Sequence, residues 1–404
     1  MRPASLDCSA CGKRHEVRLA NVCDCGGPLL ARYEWEDLRP RDLVSRGDMW
    51  RYGPLLPLEP SEIRSRGEGG TPLHSCERIG AGGRVAKLEL ASIHVKDEGR
   101  NPTGTFKARG MAVAVPMAQV LGAESAVLPT AGSAGAALAQ FAAVYGLDPT
   151  IFMTVDAPAE ARSGALEFGN KVLEVAGDLS DLGRLAEEYA RATGAFNLAT
   201  LREPYRVEGK KTILLEIWEA LGGMPDWILF PTGGGTGIVG AWKALQELRE
   251  LGWYEGPAPR IGIVQAEGCA PLVEAWRAGK DRADPWKDPR TGAAGLRVPA
   301  TIGDRLVLQA VRDTAGAGVT VSDDQMAVAV ANLATLEGIS ACPEGAATLA
   351  GLRRLHDEGT IRPSDRVVLV NTGGSRSIGR RPDLPRVGSC EEALRALGIR
   401  PSPS

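Results

Sequence analysis

The stretch "DWILFPTGGGTGIVGAWKALQEL" (226–248) constrains the fold more than any other. It opens with an apolar run too short for a helix, turns on glycines, and continues with apolar residues at helical spacing. "SAVLPTAGSAGAALAQFAAVYGL" (125–147) has the same order of strand, turn and helix. "PTIFMTV" (149–155), "NKVLEVAG" (170–177), "RIGIVQAEG" (260–268) and "DRVVLVNTGG" (365–374) read as further buried strands. Strands alternating with helices predict an α/β fold whose parallel sheets are covered on both faces. At 404 residues the chain exceeds one small core, which predicts two domains and an appendage. "LRPRDLVSRGDMWRYGPLLPLEP" (38–60) reads as an extended, proline-rich arm, and the last few residues as disordered.

Composition narrows the partners. A net charge of −3 gives no case for nucleic acid or an anionic membrane. No apolar run approaches the roughly 18 residues that a bilayer span requires. The opening "MRPASLDCSACGKRH" lacks the apolar core of a signal peptide. A cytoplasmic setting with reduced cysteines is therefore expected. Four of the eight cysteines, Cys8, Cys11, Cys23 and Cys25, form C-x2-C-x11-C-x-C. Two close pairs on turns can present four thiolates to one tetrahedral centre. The second pair is tighter than the usual C-x2-C, so a zinc-ribbon-like structural site, a metal-free remnant and a disulfide all stay open. Four thiolates would leave no coordination position for catalysis.

Parallel sheets bind ligands beyond the carboxyl ends of their strands, and four loops there have unusual compositions. In "PTGGGTGIVG", Gly233, Gly234, Gly235 and Gly237 let successive N–H groups converge on an anion, and the following helix points its positive end at the same place. The loop also contains G-x-G-x-x-G (Gly235, Gly237, Gly240). A dinucleotide fold would want an acid about 20 residues on, whereas Glu267 lies 27 beyond Gly240. In "VKDEGRNPTGTFKARG" (95–110), Lys107 follows a turn, between an aromatic and a helix start. In "PTAGSAG" (129–135), hydroxyl and N–H groups at a helix N-terminus suit an α-carboxylate. In "NTGGSR" (371–376), the Thr372 hydroxyl stands at a strand end. A phosphate nest, a lysine, a carboxylate-holding helix start and a neutral hydroxyl together suit pyridoxal 5′-phosphate. Lys107 would form the Schiff base, the glycines would hold the 5′-phosphate, and Thr372 would meet the pyridine nitrogen.

These loops sit in motifs that resemble threonine synthases and their relatives among fold type II pyridoxal-phosphate enzymes. The resemblance runs over nearly the whole chain: "CxxC…CxCGGPL", "GEGGTPL", "KDEGRNPTGTFKARG", "EPYRVEGKKT", "FPTGGGTGIVGAWKA", "QAEGCAPL", "GLRVPATIGD", "CPEGAATLAGL" and "VVLVNTGG". It implies a tryptophan-synthase-β-like fold of two doubly wound α/β domains and a small N-terminal module. The module would span 1–40 and a large cofactor domain 41–109 with 201–404. A small substrate-closing domain would span 110–200, with the cofactor in the cleft and a homodimer as the assembly. Lys107 is implied as the catalytic, cofactor-bearing lysine. Gly233, Gly234, Gly235, Thr236 and Gly237 are implied as the phosphate loop, with Thr372 at the pyridine nitrogen. Thr130, Ala131, Gly132, Ser133 and Ala134 match the loop that binds the substrate carboxylate, and Ser133 takes the position that meets the cofactor's ring hydroxyl.

The implied reaction releases phosphate from Cγ of O-phosphohomoserine and adds water at Cβ to give threonine. Lys107 would move protons at Cα and Cβ, its pKa lowered by burial. A hydroxyl at the ring nitrogen makes a weaker electron sink than a carboxylate would, which favours elimination and replacement over transamination. Candidates for the substrate's phosphate are Arg206 and Lys210, then Lys211 and Arg162.

The chain departs from the family pattern in three places. Ser133 stands where the family has Asn, and "NTGGSRSIG" replaces Asn-Thr-Gly-Ser-Gly followed by Leu-Lys, with Arg376 in place of an apolar residue. Thr200 and Glu203 occupy the region where better-known threonine synthases carry asparagines. Three other readings compete. One is a paralogue acting on a different amino acid, as a replacement enzyme, dehydratase or ammonia-lyase in specialised metabolism. The others are an NAD(P)-dependent oxidoreductase and a catalytically silent regulatory relative.

Overall fold

The computed structural model describes residues 2–81, 88, 90–374 and 386–399. In chain order its strands are β1 (Ser5–Cys8), β2 (Arg14–His15), β3 (Leu29–Arg32), β4 (Leu73–Ser75), β5 (Ser92–Asp97), β6 (Ser125–Thr130), β7 (Asp148–Thr154), β8 (Lys171–Val175), β9 (Phe196–Asn197), β10 (Trp227–Pro231), β11 (Arg260–Ala266), β12 (Ala317–Val321), β13 (Arg366–Asn371) and β14 (Arg386–Val387). Among the described residues they form a six-stranded sheet, β12-β11-β10-β13-β5-β4, a five-stranded sheet, β14-β8-β7-β6-β9, and a three-stranded one, β2-β1-β3.

The expected parallel pairing holds in the two larger sheets except at one edge, where β4 runs antiparallel to β5. An antiparallel neighbour need not bring the chain back to the same end of the sheet, so it escapes the rule that alternation imposes. β14 lies in the segment expected to belong with the larger sheet, yet it is hydrogen-bonded to β8 of the other sheet, Arg386 opposite Glu174.

Burial on both faces explains the near-continuous apolar strands. Ile228 and Phe230 of β10 pack with Ile213, Leu214 and Ile217 of the helix Tyr205–Leu221. Trp227 and Leu229 point the other way, into a core shared with Leu349 and Leu352 of the helix Pro343–Asp357. The helices Lys107–Val120 and Tyr205–Leu221 cross at Gly110 and Gly209. A Cβ on Gly209 would collide with the carbonyl of Arg109, and one on Gly110 would stand 3.2 Å from the carbonyl oxygen of Arg206.

The arm after β3 is not extended. It winds through 3-10 turns at Pro40–Asp42, Met49–Leu55 and Pro60–Glu62. Prolines at the first helical positions and the Asp48 carboxylate, which accepts from Trp50 N at 3.1 Å, favour these turns over strand. Trp50, Tyr52, Leu55, Leu56 and Leu58 are buried by them. Within β3 the side chains alternate between two cores: Leu29 and Ala31 join the one around Met111 and Leu128, and Leu30 joins the one around Ile213 and Ile228. Among the described residues no helix is long and apolar enough to cross a membrane.

Candidate active site

The site forms where three loops are stitched together beyond the strand ends. Phe106 N donates to Thr372 O at 2.9 Å, Gly374 N to Gly104 O at 3.0 Å, and Cys342 N to Gly373 O at 2.8 Å. Lys107 thereby starts its helix beside the end of β13, 265 residues further along the chain at Thr372. A cavity of about 570 Å³ opens next to them. Lys107, Thr130, Ala131, Gly132, Ser133, Ala134, Arg206, Gly233, Gly234, Gly235, Thr236, Gly237 and Thr372 all line it.

Glycine is required in the phosphate-type loop by what stands behind it. A Cβ on Gly233 would strike the carbonyl of Gly295, and one on Gly235 would strike Val307. A Cβ on Gly234 would lie 2.6 Å from Thr200 Cγ2. Gly235 also adopts φ +83° as it caps the helix Thr236–Glu250, a conformation that costs a side chain roughly 1–2 kcal/mol. The segment around 295–301 presses on the loop from outside, and Thr301 Oγ1 donates to Gly234 O at 3.1 Å.

Burial, reinforced by the Arg206 guanidinium, pulls the Lys107 amine down to about 8. Arg206 is itself buried. It donates from Nη1 to Leu198 O at 2.8 Å, while its Nε and Nη2 have no hydrogen-bond partner. A buried guanidinium with two nitrogens lacking hydrogen-bond partners carries an unmet demand for an acceptor beside the cavity that Arg206 lines. Thr130 turns its hydroxyl onto Gly132, accepting from N at 3.0 Å, whereas the Ser133 hydroxyl makes no cap bond to the helix Ala134–Tyr145 that it begins. The Thr372 hydroxyl lies 4.0 Å from Cys342 Sγ. Burial, helped by Glu344, raises that thiol far above its ordinary range and keeps it protonated.

Three sequence candidates stand elsewhere. Lys210 is fully buried behind Phe106 and does not line the cavity. Lys211 pairs with Glu208 at 2.7 Å and Glu247 at 2.8 Å. Arg162 pairs with Glu174 at 2.6 Å. Arg376 lies outside the described residues. Sequence reasoning missed Phe106, Cys342 and Glu344 as cavity-lining residues, and the wall from 292 to 302. "CPEGAATLAGL" and "GLRVPATIGD" flagged these regions by resemblance only, because a lone Cys or Glu among apolar and small residues does not reveal which cavity it will line.

The four N-terminal cysteines converge at the turns of the three-stranded sheet. Their sulfurs lie within 4.8 Å of one another, with Cys8–Cys25 and Cys11–Cys25 at 3.5 Å and Cys11–Cys23 at 3.7 Å. Those separations exceed a disulfide bond of about 2.05 Å, and all eight cysteines are free. Four sulfurs each about 2.3 Å from a tetrahedral zinc would stand about 3.8 Å apart, so the donor set fits such an ion. A Cβ on Gly27 would come within 2.8 Å of Cys8 Sγ, so a glycine there keeps the cluster compact.

Residues 64–373 match the family described as pyridoxal-phosphate dependent enzyme, and the chain belongs to that family. Within it the chain is similar to threonine synthases. It is 33% identical over 377 residues to the one from Methanocaldococcus jannaschii, covering 91% of each chain. It is also 33% identical over 376 residues to that of Methanosarcina acetivorans, again 91% of each. Maize serine racemase shares the fold, with a TM-score of 0.65 at 23% identity over 76% of this chain and 89% of that one. The protein is a pyridoxal-phosphate-dependent, threonine-synthase-like lyase of fold type II.

Proposed function

We propose that the protein converts O-phosphohomoserine and water to threonine and phosphate. The observation that carries the reading is the unpartnered Arg206 guanidinium on the same cavity wall as Lys107, the glycine loop and Thr372. The cofactor residues fit a ring bearing a phosphate: Lys107 to attach it, Gly233 to Gly237 to hold its anion, Thr372 to face its ring nitrogen. When bound, pyridoxal phosphate supplies an electron sink for charge left at the substrate's Cα.

The chain's own groups do the rest. The N–H groups from Ala131 to Ala134 hold the substrate carboxylate at a helix N-terminus. Arg206 grips the substrate phosphate from the cavity wall and stabilises it as it leaves. Lys107, its amine brought down to about 8 so that a larger neutral fraction is present than for an ordinary lysine, takes a proton from Cα and moves another at Cβ. Thr372 offers a neutral hydroxyl, which places no permanent charge at the ring nitrogen.

Product analysis tests this reading. Phosphate and threonine should appear in equal amounts from O-phosphohomoserine; pyruvate or 2-oxobutanoate from hydroxy amino acids, without phosphate release, would replace it with a dehydratase. Arg206→Met should raise KM for the phosphorylated substrate about 10- to 100-fold, the loss of charge-assisted hydrogen bonds. Capture of pyridoxal phosphate by cofactor-free protein should speed up about tenfold per pH unit up to about 8 and then level off, because only the neutral Lys107 amine reacts. A midpoint near the ordinary lysine range, read by absorbance, would refute that.

The proposal extends to the N-terminal module as a zinc-ribbon-like structural site on Cys8, Cys11, Cys23 and Cys25, supported by the sulfur separations. Metal analysis should give one zinc per chain. Cys11→Ser should release it and lower Tm while leaving the bound-cofactor absorbance unchanged. A cytoplasmic setting is supported by the eight free cysteines. A homodimer is what the family resemblance implies, and light scattering on the purified chain checks it.

A further inference from the structure

Lys210 is an expensive residue to hold where it is. Its side chain is fully buried, and among the described residues it forms no ion pair with a carboxylate. Its amine instead donates to the main-chain carbonyl of Phe106, the residue that caps the Lys107–Val120 helix, and stands 3.1 Å from the centroid of the Phe106 ring. Lys107 Nζ lies 4.6 Å from the same centroid.

The route to that position is built by glycines on two different helices. A Cβ on Gly240 would approach Lys210 Cβ to 2.8 Å, and one on Gly110 would lie 3.4 Å from Lys210 Cε. Burial, together with Lys107 and Arg206, drives the amine well below the ordinary lysine range. A neutral amine can sit there without a counter-ion, though at a cost to folding that packing alone would not select.

We propose that Lys210 is a positioning residue for Lys107: it clamps the carbonyl and ring of Phe106 and so fixes the point from which the Lys107 side chain enters the cavity. This rests on the pyridoxal-phosphate reading above. Lys107 has to reach two substrate carbons in turn, and displacement of such a group by about 1 Å can cost about 100-fold in rate. Lys210, touching neither substrate nor cofactor, acts only through its neighbour.

The test compares wild-type holoenzyme with Lys210→Met and Lys210→Gln. The methionine variant should keep KM within about twofold, lose 10- to 100-fold in kcat, and alter the circular dichroism of the cofactor band. Glutamine, which retains a donor for the Phe106 carbonyl, should recover at least tenfold of that loss. A methionine variant that changes Tm while kcat and the cofactor band stay at wild-type values would overturn the proposal, as would a glutamine variant no better than methionine. Should the methionine variant not fold, Phe106→Leu probes the same clamp from the other side, and wild-type kcat there overturns it. A wild-type protein without a cofactor band would instead refute the parent reading, which separates the two failures.

Discussion

Lys107→Ala is expected to give a folded protein whose activity has fallen at least about 10⁴-fold and whose covalent cofactor absorbance is gone. Alanine is a better helix former than lysine at the start of Lys107–Val120, and the substitution removes a strained titration. The Lys107 amine falls from 10.5 to about 8 on folding, so the unfolded chain binds more protons between those values. The penalty on the folded state is therefore fully present below about pH 8 and disappears as pH rises past 10.5. Cofactor-free Lys107→Ala should melt no lower than cofactor-free wild type at pH 7. A large drop in Tm would mean that the lost activity reports misfolding.

Arg109→Met should destabilise the protein by about 3–5 kcal/mol, the cost of breaking a buried ion network on one side. Arg109 is completely inaccessible and binds Glu98 through Nε at 2.6 Å and Glu216 through Nη1 at 2.6 Å, while Lys96 holds Glu216 at 2.6 Å. Two cations balance two carboxylates, and methionine would leave one cation for both. Burial alone would raise Glu98, but Arg109 overcomes it and holds that carboxyl at about 2, below its ordinary 4.5. In wild type this stabilisation is present above pH 4.5 and is lost as pH falls toward 2. In the variant the carboxylates cost stability when charged, so the Tm gap to wild type should narrow between pH 7 and 4.5. A gap independent of pH would show that packing, not charge, is what Arg109 provides.

The sequence announced what depends on local pattern. Short apolar runs such as "WILFP" and "VVLVN", bounded by turn residues, favour strands buried on both faces, and a glycine loop before an amphipathic run has few alternatives. Lys107, the glycines and Thr372 stood out because their types are unusual in such loops, and the structure brings them to one cavity. What stayed hidden depends on long-range pairing. Nothing in "YRVEGKKT" distinguishes Arg206, with two idle nitrogens on the cavity wall, from Lys210, turned into the core one helical turn on. "KDEG" and "GEGGTPL" carried the family resemblance without a stated role, and the structure places Lys96, Glu98 and Thr71 in the Arg109 network. The arm misled for a different reason: proline forbids helix interiors but begins 3-10 turns readily, so its abundance at 40, 54 and 60 fits both outcomes.

The bonds joining Phe106 to Thr372 and Gly104 to Gly374 set an order of events during synthesis. β5, which leads toward Lys107, can take its place beside β13 only after the ribosome has made residue 371. A nascent chain halted before that point lacks the partners of Phe106 and Gly104, so the wall beside Lys107 can be completed only near the end of translation.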